Sequence, residues 1–325
     1  MLKTEQSKVD IPRNPGMPLE LDYIKDIKVN RSAVERRAKT HPSRRSIKKQ
    51  WQAAWLLKAI TLIDLTTLAG DDTEERVKRL CRKAKQPVRK DLLEQFDLGD
   101  MRITTAAVCV YHNFVKTAVE ELRGTGISIA AVSTGFPAGQ ISMENKIKQI
   151  KASVADGANE IDIVISRAKV LSADWHGLYE EISAFREACG EAHLKTILAT
   201  GELGHFENVA KASMVAMMAG ADFIKTSTGK ESVNATLPVS LVMMRQIRAY
   251  YRMTGFKVGF KPAGGIRSAK QTLAWLSLLK DELGDEWISP HLFRFGASSL
   301  LGDIERQLEH NLTGRYSASF RHAVS

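Results

Sequence analysis

Apolar positions along the chain switch repeatedly between a period of two and a period near 3.6. Short strand-like runs fall at 62–65, 106–111, 127–132, 160–165, 194–198, 222–226, 257–260 and 292–295. Helical spacing fills the intervals at 73–85, 114–123, 142–156, 178–190, 206–219, 238–254 and 269–283, and again after the last strand at 300–312, with a further short helix over 87–95. Eight strands, each followed by a helix, predict an α/β fold of the (β/α)8 TIM-barrel kind with an N-terminal helical extension. The alternative is an open doubly wound sheet. That fold usually has fewer strands and more often opens with a glycine fingerprint after the first, where this chain has only Ala69-Gly70.

The flanks follow from the same pattern. Residues 1–42 are polar, hold Pro12, Pro15, Pro18 and Pro42, and read as a loosely ordered leader with one short helix near 30–39. Residues 43–58 read as an amphipathic helix that packs on the barrel, with Ile47, Trp51, Trp55 and Leu56 on its apolar face. The barrel is expected over 59–312 and a flexible tail over 313–325.

Composition narrows the setting. No run of about 18 apolar residues occurs, and the start MLKTEQSKVD lacks the apolar core of a signal peptide. Cys81, Cys109 and Cys189 are widely spaced and odd in number, which argues against a disulfide framework. A soluble intracellular protein without a membrane partner is expected. The net charge of +10 belongs mostly to one end: residues 1–60 hold 14 Lys and Arg against 6 Asp and Glu, and the remainder holds 33 against 31. This basic arm lacks RNP-type aromatics and zinc-finger spacing. A solvated extension, or a helix packed on the main domain, is therefore expected rather than a nucleic-acid contact.

Barrels of this class work at the C-terminal ends of their strands. Period-two alternation turns Asp64, Thr66, Cys109, Asp162, Lys195, Lys225 and Lys261 inward there, with Ser298 and Ser299 just beyond the last strand. A buried lysine is costly unless its pKa falls or it finds a partner. Lys225, Lys261 and Asp162 converging in one interior point to catalysis. Asp64 and Lys195 suit a structural ion pair as well as a proton relay, and Cys109 suits a buried thiol.

An amine attacks a carbonyl only when neutral, and adjacent strands about 4.8 Å apart would bring two ammonium groups close enough for one to depress the other. One lysine would form a Schiff base, the other would keep its charge, and Asp162 would move protons through an ordered water. That set describes an imine-forming aldolase without metal or cofactor. The histidines are scattered and form no metal-ligand spacing.

An anion site is expected beside it. Thr228, Gly229 and Lys230 follow strand six, Gly264 and Gly265 follow strand seven, and Gly296, Ser298 and Ser299 open the helix after strand eight, the quarter where barrels bind phosphate. TSTGKE is not a Walker A loop, because Glu231 follows Lys230 and no glycine stands at the required offset. On the residues alone, a binding protein acting through the barrel mouth and basic arm, or an aldolase with another donor, remain open.

LIDLTTL, VCVY, EIDIV, TGEL, ADFIKTSTGK, VGFKPAGGIR and FRFGASSLL occur in that order between residues 62 and 301. Over roughly residues 58–305 the chain closely resembles the deoxyribose-phosphate aldolase family, and its long basic N-terminus resembles the animal branch. The resemblance implies reversible cleavage of 2-deoxy-D-ribose 5-phosphate to D-glyceraldehyde 3-phosphate and acetaldehyde, with deoxynucleoside catabolism in the cytoplasm. It implies Lys225 as the Schiff-base lysine, Lys261 as its tuning partner, Asp162 as the proton carrier, and no cofactor. The implied partners are a small-molecule sugar phosphate and acetaldehyde, and a homodimer is left open. Bacterial members end in a tyrosine that assists proton transfer. This chain ends SASFRHAVS, with Tyr316 and Phe320 upstream, and the resemblance stops near Gly314.

Overall fold

A computed structural model describes residues 12–44 and 47–323. Among them are eight parallel strands, β1 Ile63–Thr66, β2 Ala107–Tyr111, β3 Ser128–Val132, β4 Glu160–Val164, β5 His193–Ile197, β6 Phe223–Lys225, β7 Gly259–Lys261 and β8 Phe295–Ala297. Neighbours in sequence pair in order from β1 to β7, and β8 pairs with β1. Single bridges, Phe260 with Phe293 and Ala263 with Gly296, bring the last two strands together and nearly close the barrel. Ile161, Ile163 and Ile165 turn outward into the apolar layer under the helices, as their alternation requires.

The eighth strand lies three residues later than its apolar run predicts. Leu292 and Phe293 donate their amides to the Ser289 carbonyl at 3.0 and 2.8 Å, so this stretch is held in a turn. Pairing with the first strand begins only where the Phe295 amide reaches the Leu62 carbonyl, at 2.7 Å. The seventh strand is also displaced, ending on Lys261, because it takes its register from β6 with Lys225 opposite Lys261.

The N-terminal region departs most from its sequence reading. The short helix expected near 30–39 is present, but residues 12–30 are held against the barrel rather than loose, and residues 1–11 of the expected leader lie outside the described ones. Helices Leu21–Asp26 and Arg31–Arg44 bury Ile24, Val34 and Ala38, and the second packs against helices Leu237–Thr254 and Ala269–Leu283. The expected boundary at residue 42 falls inside that helix. The next helix starts at Lys49 rather than residue 43 and runs to Ile60. It seats Ala53, Leu56, Ala59 and Ile60 against helix Leu300–Thr313, while Trp51 is 69% exposed. Of the expected apolar face Leu56 is buried and Trp55 packs against the core, while Trp51 turns to solvent.

One polar residue pins the segment. Asn14 is buried; its amide side chain donates to the Met217 and Ala221 carbonyls at 2.8 and 2.9 Å, its backbone N–H donates to Asp222, and the Tyr250 hydroxyl donates to its oxygen. Asp222 in turn accepts from the Leu194 amide, so the contact reaches the floor of β5 and β6. Asn14→Ala should lower stability by about 2–3 kcal/mol, since it strands several buried polar groups. In thermal unfolding that is a fall of about 3–4 °C for a chain of this size.

Candidate active site

The interior of the barrel is not the apolar layer usual for this fold. Asp64 from β1, Glu160 and Asp162 from β4, Lys195 from β5, Lys225 from β6, Lys261 from β7 and Arg294 just before β8 are all buried in one network. Strand alternation puts each on the inner face, and register sets their heights: Asp162 lies opposite Lys195, and Lys225 opposite Lys261. Phe223 closes the floor, with Lys195 Nζ and Arg294 Cζ both 5.8 Å from its ring centroid. Position 259 must be glycine here, because a β-carbon would lie 2.3 Å from that ring.

The two lysines meet on one oxygen. Asp162 Oδ2 accepts from Lys225 Nζ at 2.6 Å and from Lys261 Nζ at 2.7 Å. Lys261 Nζ also lies 2.6 Å from Asp64 Oδ2, whereas Asp162 is the one carboxylate given to Lys225. Below them Lys195 is bonded to Glu160 and lies 3.5 Å from both Asp64 and Asp162. Arg294 completes the network, donating to Asp64 Oδ1 at 2.6 Å and to Glu160 Oε1 at 2.7 Å.

The count of charges matters. Three carboxylates, Asp64, Glu160 and Asp162, face four bases, Lys195, Lys225, Lys261 and Arg294. With every group ionised, one cation is in excess in a site closed to water, where uncompensated charge is costly. Burial weighs most on Lys225; Asp162 works against it and Lys261 with it, and the amine ends below the ordinary lysine value. Lys261 is buried too, but its two carboxylates, Asp162 and Asp64, outweigh that effect and hold it well above. Burial would raise Asp162 and Asp64, yet the surrounding cations keep both well below the usual carboxylate range. Of the two lysines on Asp162, Lys225 is thus the one more ready to give up its proton.

Sequence reasoning found Lys225, Lys261, Asp162, Asp64 and Lys195, and the structure brings all five together. It missed Glu160 and Arg294. Glu160 shares the parity of Asp162 in EIDIV, which was the available signal. Arg294 stood inside the predicted eighth strand as a charge interrupting the apolar run LFRF, and that signal was the available one. Thr66 lies at the strand end but spends its hydroxyl on the Asp64 carbonyl at 2.7 Å. Cys109 joins a separate apolar group with Leu68, Ala130 and Val132, flanked by Tyr111 and Phe136. Burial pushes its thiol up, so it remains protonated.

The three glycine loops converge above the lysines. A β-carbon on Gly229 would lie 3.9 Å from Gly264 Cα, and Ala263 bridges to Gly296. Thr226 locks the first two loops together, accepting from the Ala263 amide at 3.0 Å and donating to its carbonyl. Gly264 has φ +82° and no room for a side chain beside Asn234. Gly265, Lys230, Ser298 and Ser299 are exposed at this mouth. The amides of Thr228 and Gly229 differ from the expected open cradle: both donate to the Glu231 carboxylate at 3.0–3.1 Å.

The C-terminal segment lies elsewhere. Helix Leu300–Thr313 starts at the mouth, and Glu309 is nine residues on, about 13 Å along its axis. His322 is buried there against Glu309 and Glu305, Tyr316 stacks on His310, and Phe320 is 87% exposed. Residues 313–323 therefore rest at the end of the helix remote from the lysines, and Ala318–Arg321 closes a short turn. No helix among the described residues is long and apolar enough to cross a membrane. Nor does any group of three or more His, Cys, Asp or Glu side chains among them stand ready to hold a metal ion.

A family model described as DeoC/LacD family aldolase matches residues 58–303. The chain is 63% identical over 305 residues to deoxyribose-phosphate aldolase of Mus musculus, covering 93% of this chain and 96% of that one. The Homo sapiens deoxyribose-phosphate aldolase is 62% identical over 307 residues, with 94% and 96% covered. Among solved structures, a Toxoplasma gondii ME49 protein provisionally named a deoxyribose-phosphate aldolase matches with a TM-score of 0.68 at 22% identity, over 84% of this chain and 99% of that one, which supports the barrel fold.

Proposed function

Since the chain belongs to the deoxyribose-phosphate aldolase family, within the DeoC/LacD aldolases, we propose that it cleaves 2-deoxy-D-ribose 5-phosphate reversibly to D-glyceraldehyde 3-phosphate and acetaldehyde through a Schiff base on Lys225. The observation that carries the mechanism is the shared Asp162 oxygen, from which the two lysines diverge in opposite pKa directions. In the proposed sequence the neutral Lys225 amine adds to C1 of the open-chain sugar. Loss of water gives an iminium, which acts as an electron sink. Removal of the C3 hydroxyl proton breaks the C2–C3 bond and releases glyceraldehyde 3-phosphate. The bonding pair forms an enamine on the two carbons that remain, protonation at C2 restores the iminium, and water releases acetaldehyde.

Asp162 is the group within reach of Lys225 that can carry these protons, and Lys261 keeps its charge throughout. Phosphate would sit at the glycine loops, on the Thr228, Gly229, Gly264, Gly265, Ser298 and Ser299 amides with Lys230 alongside. The resemblance to the family also supports a place in deoxynucleoside breakdown in the cytoplasm.

Reductive trapping tests the assignment. With acetaldehyde and borohydride, peptide mapping should find one ethyl group on Lys225, absent without aldehyde. Labelling of Lys261 would exchange the two roles, and the absence of any site-specific label would sink the imine mechanism.

A further inference from the structure

The proposed phosphate cradle is already partly filled by the chain itself. Glu231 turns back over the loop after β6 and accepts from the Thr228 amide at 3.0 Å and from the Gly229 amide at 3.1 Å. Gly229 has φ +87°, so consecutive N–H groups point into one concavity, the geometry that binds anions. The carboxylate is thus an internal anion in an anion nest, at the point where the three glycine loops meet.

We propose that Glu231 is an internal competitor of the substrate's phosphate, which must displace its carboxylate from the Thr228 and Gly229 amides to bind. This rests on the sugar-phosphate reading of the site. A phosphate held at Gly264 and Ser299 with Glu231 in place would face a carboxylate across the mouth. Rotating that side chain away removes the repulsion and frees two donors. The loop survives the exchange, because its other ties do not use the carboxylate: Asn234 Nδ2 donates to the Glu231 backbone carbonyl at 2.8 Å, and the Lys230 amide donates to Thr228 Oγ1 at 3.1 Å.

Such competition makes the empty site selective. A weakly bound anion cannot outcompete an attached carboxylate, whereas a phosphate that also gains the other two loops can. The apparent affinity for phosphate falls by the fraction of molecules in which the nest is free.

Glu231→Gln keeps the shape and removes the charge, and Glu231→Ala removes the acceptor. Both should lower KM for deoxyribose 5-phosphate by about 3- to 30-fold, with the change carried by KM rather than kcat. KM for unphosphorylated 2-deoxyribose should not follow. Inorganic phosphate, titrated by ³¹P NMR, should bind more tightly to both variants by a similar factor. An unchanged or raised KM, with phosphate binding unchanged or weaker, would overturn the proposal and make Glu231 a brace of the loop. Wild-type protein that binds phosphate but fails to cleave the sugar would defeat the reaction assigned above instead, and the NMR comparison would still decide the role of Glu231.

Discussion

Replacing Lys225 by methionine is expected to abolish turnover while leaving the fold as stable as before or more so. The kinetic half follows from chemistry: without the amine no imine forms, and no neighbouring group can take its place, because Lys261 is held charged by two carboxylates. Loss of a covalent nucleophile should lower kcat by at least about 10⁴-fold. The stability half follows from the charge count. Without Lys225, three bases, Lys195, Lys261 and Arg294, face the three carboxylates, and Asp162 still holds Lys261 and Lys195. A buried base whose pKa is depressed in the folded state disfavours folding wherever it is protonated in the unfolded chain, which includes neutral pH. Lys225→Met should therefore unfold at the wild-type temperature or above, by up to about 3 kcal/mol of added stability. Calorimetry and a progress curve together check it. A variant both inactive and strongly destabilised would mean that Lys225 is a structural cation and not a poised nucleophile.

The ease of reading this protein from its residues differs from part to part, for physical reasons. Strand and helix order was legible because a parallel barrel buries both faces of its strands and one face of each helix, so apolar runs and helical stripes both survive in the sequence. The charged layer was legible because residues such as Lys225 in ADFIKTST interrupt those runs where packing alone gives no reason for them. The order of residues 12–30 was missed because their polar anchor, Asn14, has partners more than 200 residues away in sequence. Local composition rich in proline says nothing of such a contact. Arg294 also interrupts an apolar run, LFRF, but its carboxylate partners Asp64 and Glu160 lie 230 and 134 residues away, so the run alone does not say what the charge meets. Glu231 was seen only as the residue that spoils a Walker loop, because a side chain folding back on its own backbone leaves no periodic trace.

Lys261→Met is expected to leave a protein that is nearly silent at neutral pH and recovers as the pH is raised. In the wild type, Lys261 donates to Asp162 and pairs with Asp64, and its charge helps keep the proton off Lys225. With Lys261 gone, Asp162 is left to Lys225 and Lys195, and the three carboxylates match the three remaining bases one for one. Lys225 then has every reason to stay protonated, so its pKa rises. The neutral fraction of an amine falls about tenfold for every tenfold gain in its proton affinity, at any fixed pH below the pKa. On that basis kcat/KM at pH 7 should fall by about 10²- to 10³-fold, with the acidic limb of the pH profile moved toward alkaline values. Trapping with acetaldehyde and borohydride should still mark Lys225 once the pH is high. Stability moves the other way from the Lys225 variant. A lysine whose folded pKa is raised stabilises the fold at every pH below its unfolded value, and that stabilisation is lost only as pH rises through the folded one. Lys261→Met should thus be weaker at neutral pH by about 3–5 kcal/mol, the usual result of breaking a buried ion pair from one side. Asp64 and Asp162 stabilise the fold above the unfolded carboxylate range and lose that effect as pH falls; with one cation fewer beside them, acid unfolding should begin at a higher pH than in the wild type. A loss of activity equal at all pH values would show instead that Lys261 acts on the substrate directly and not through the charge it sets on its neighbour.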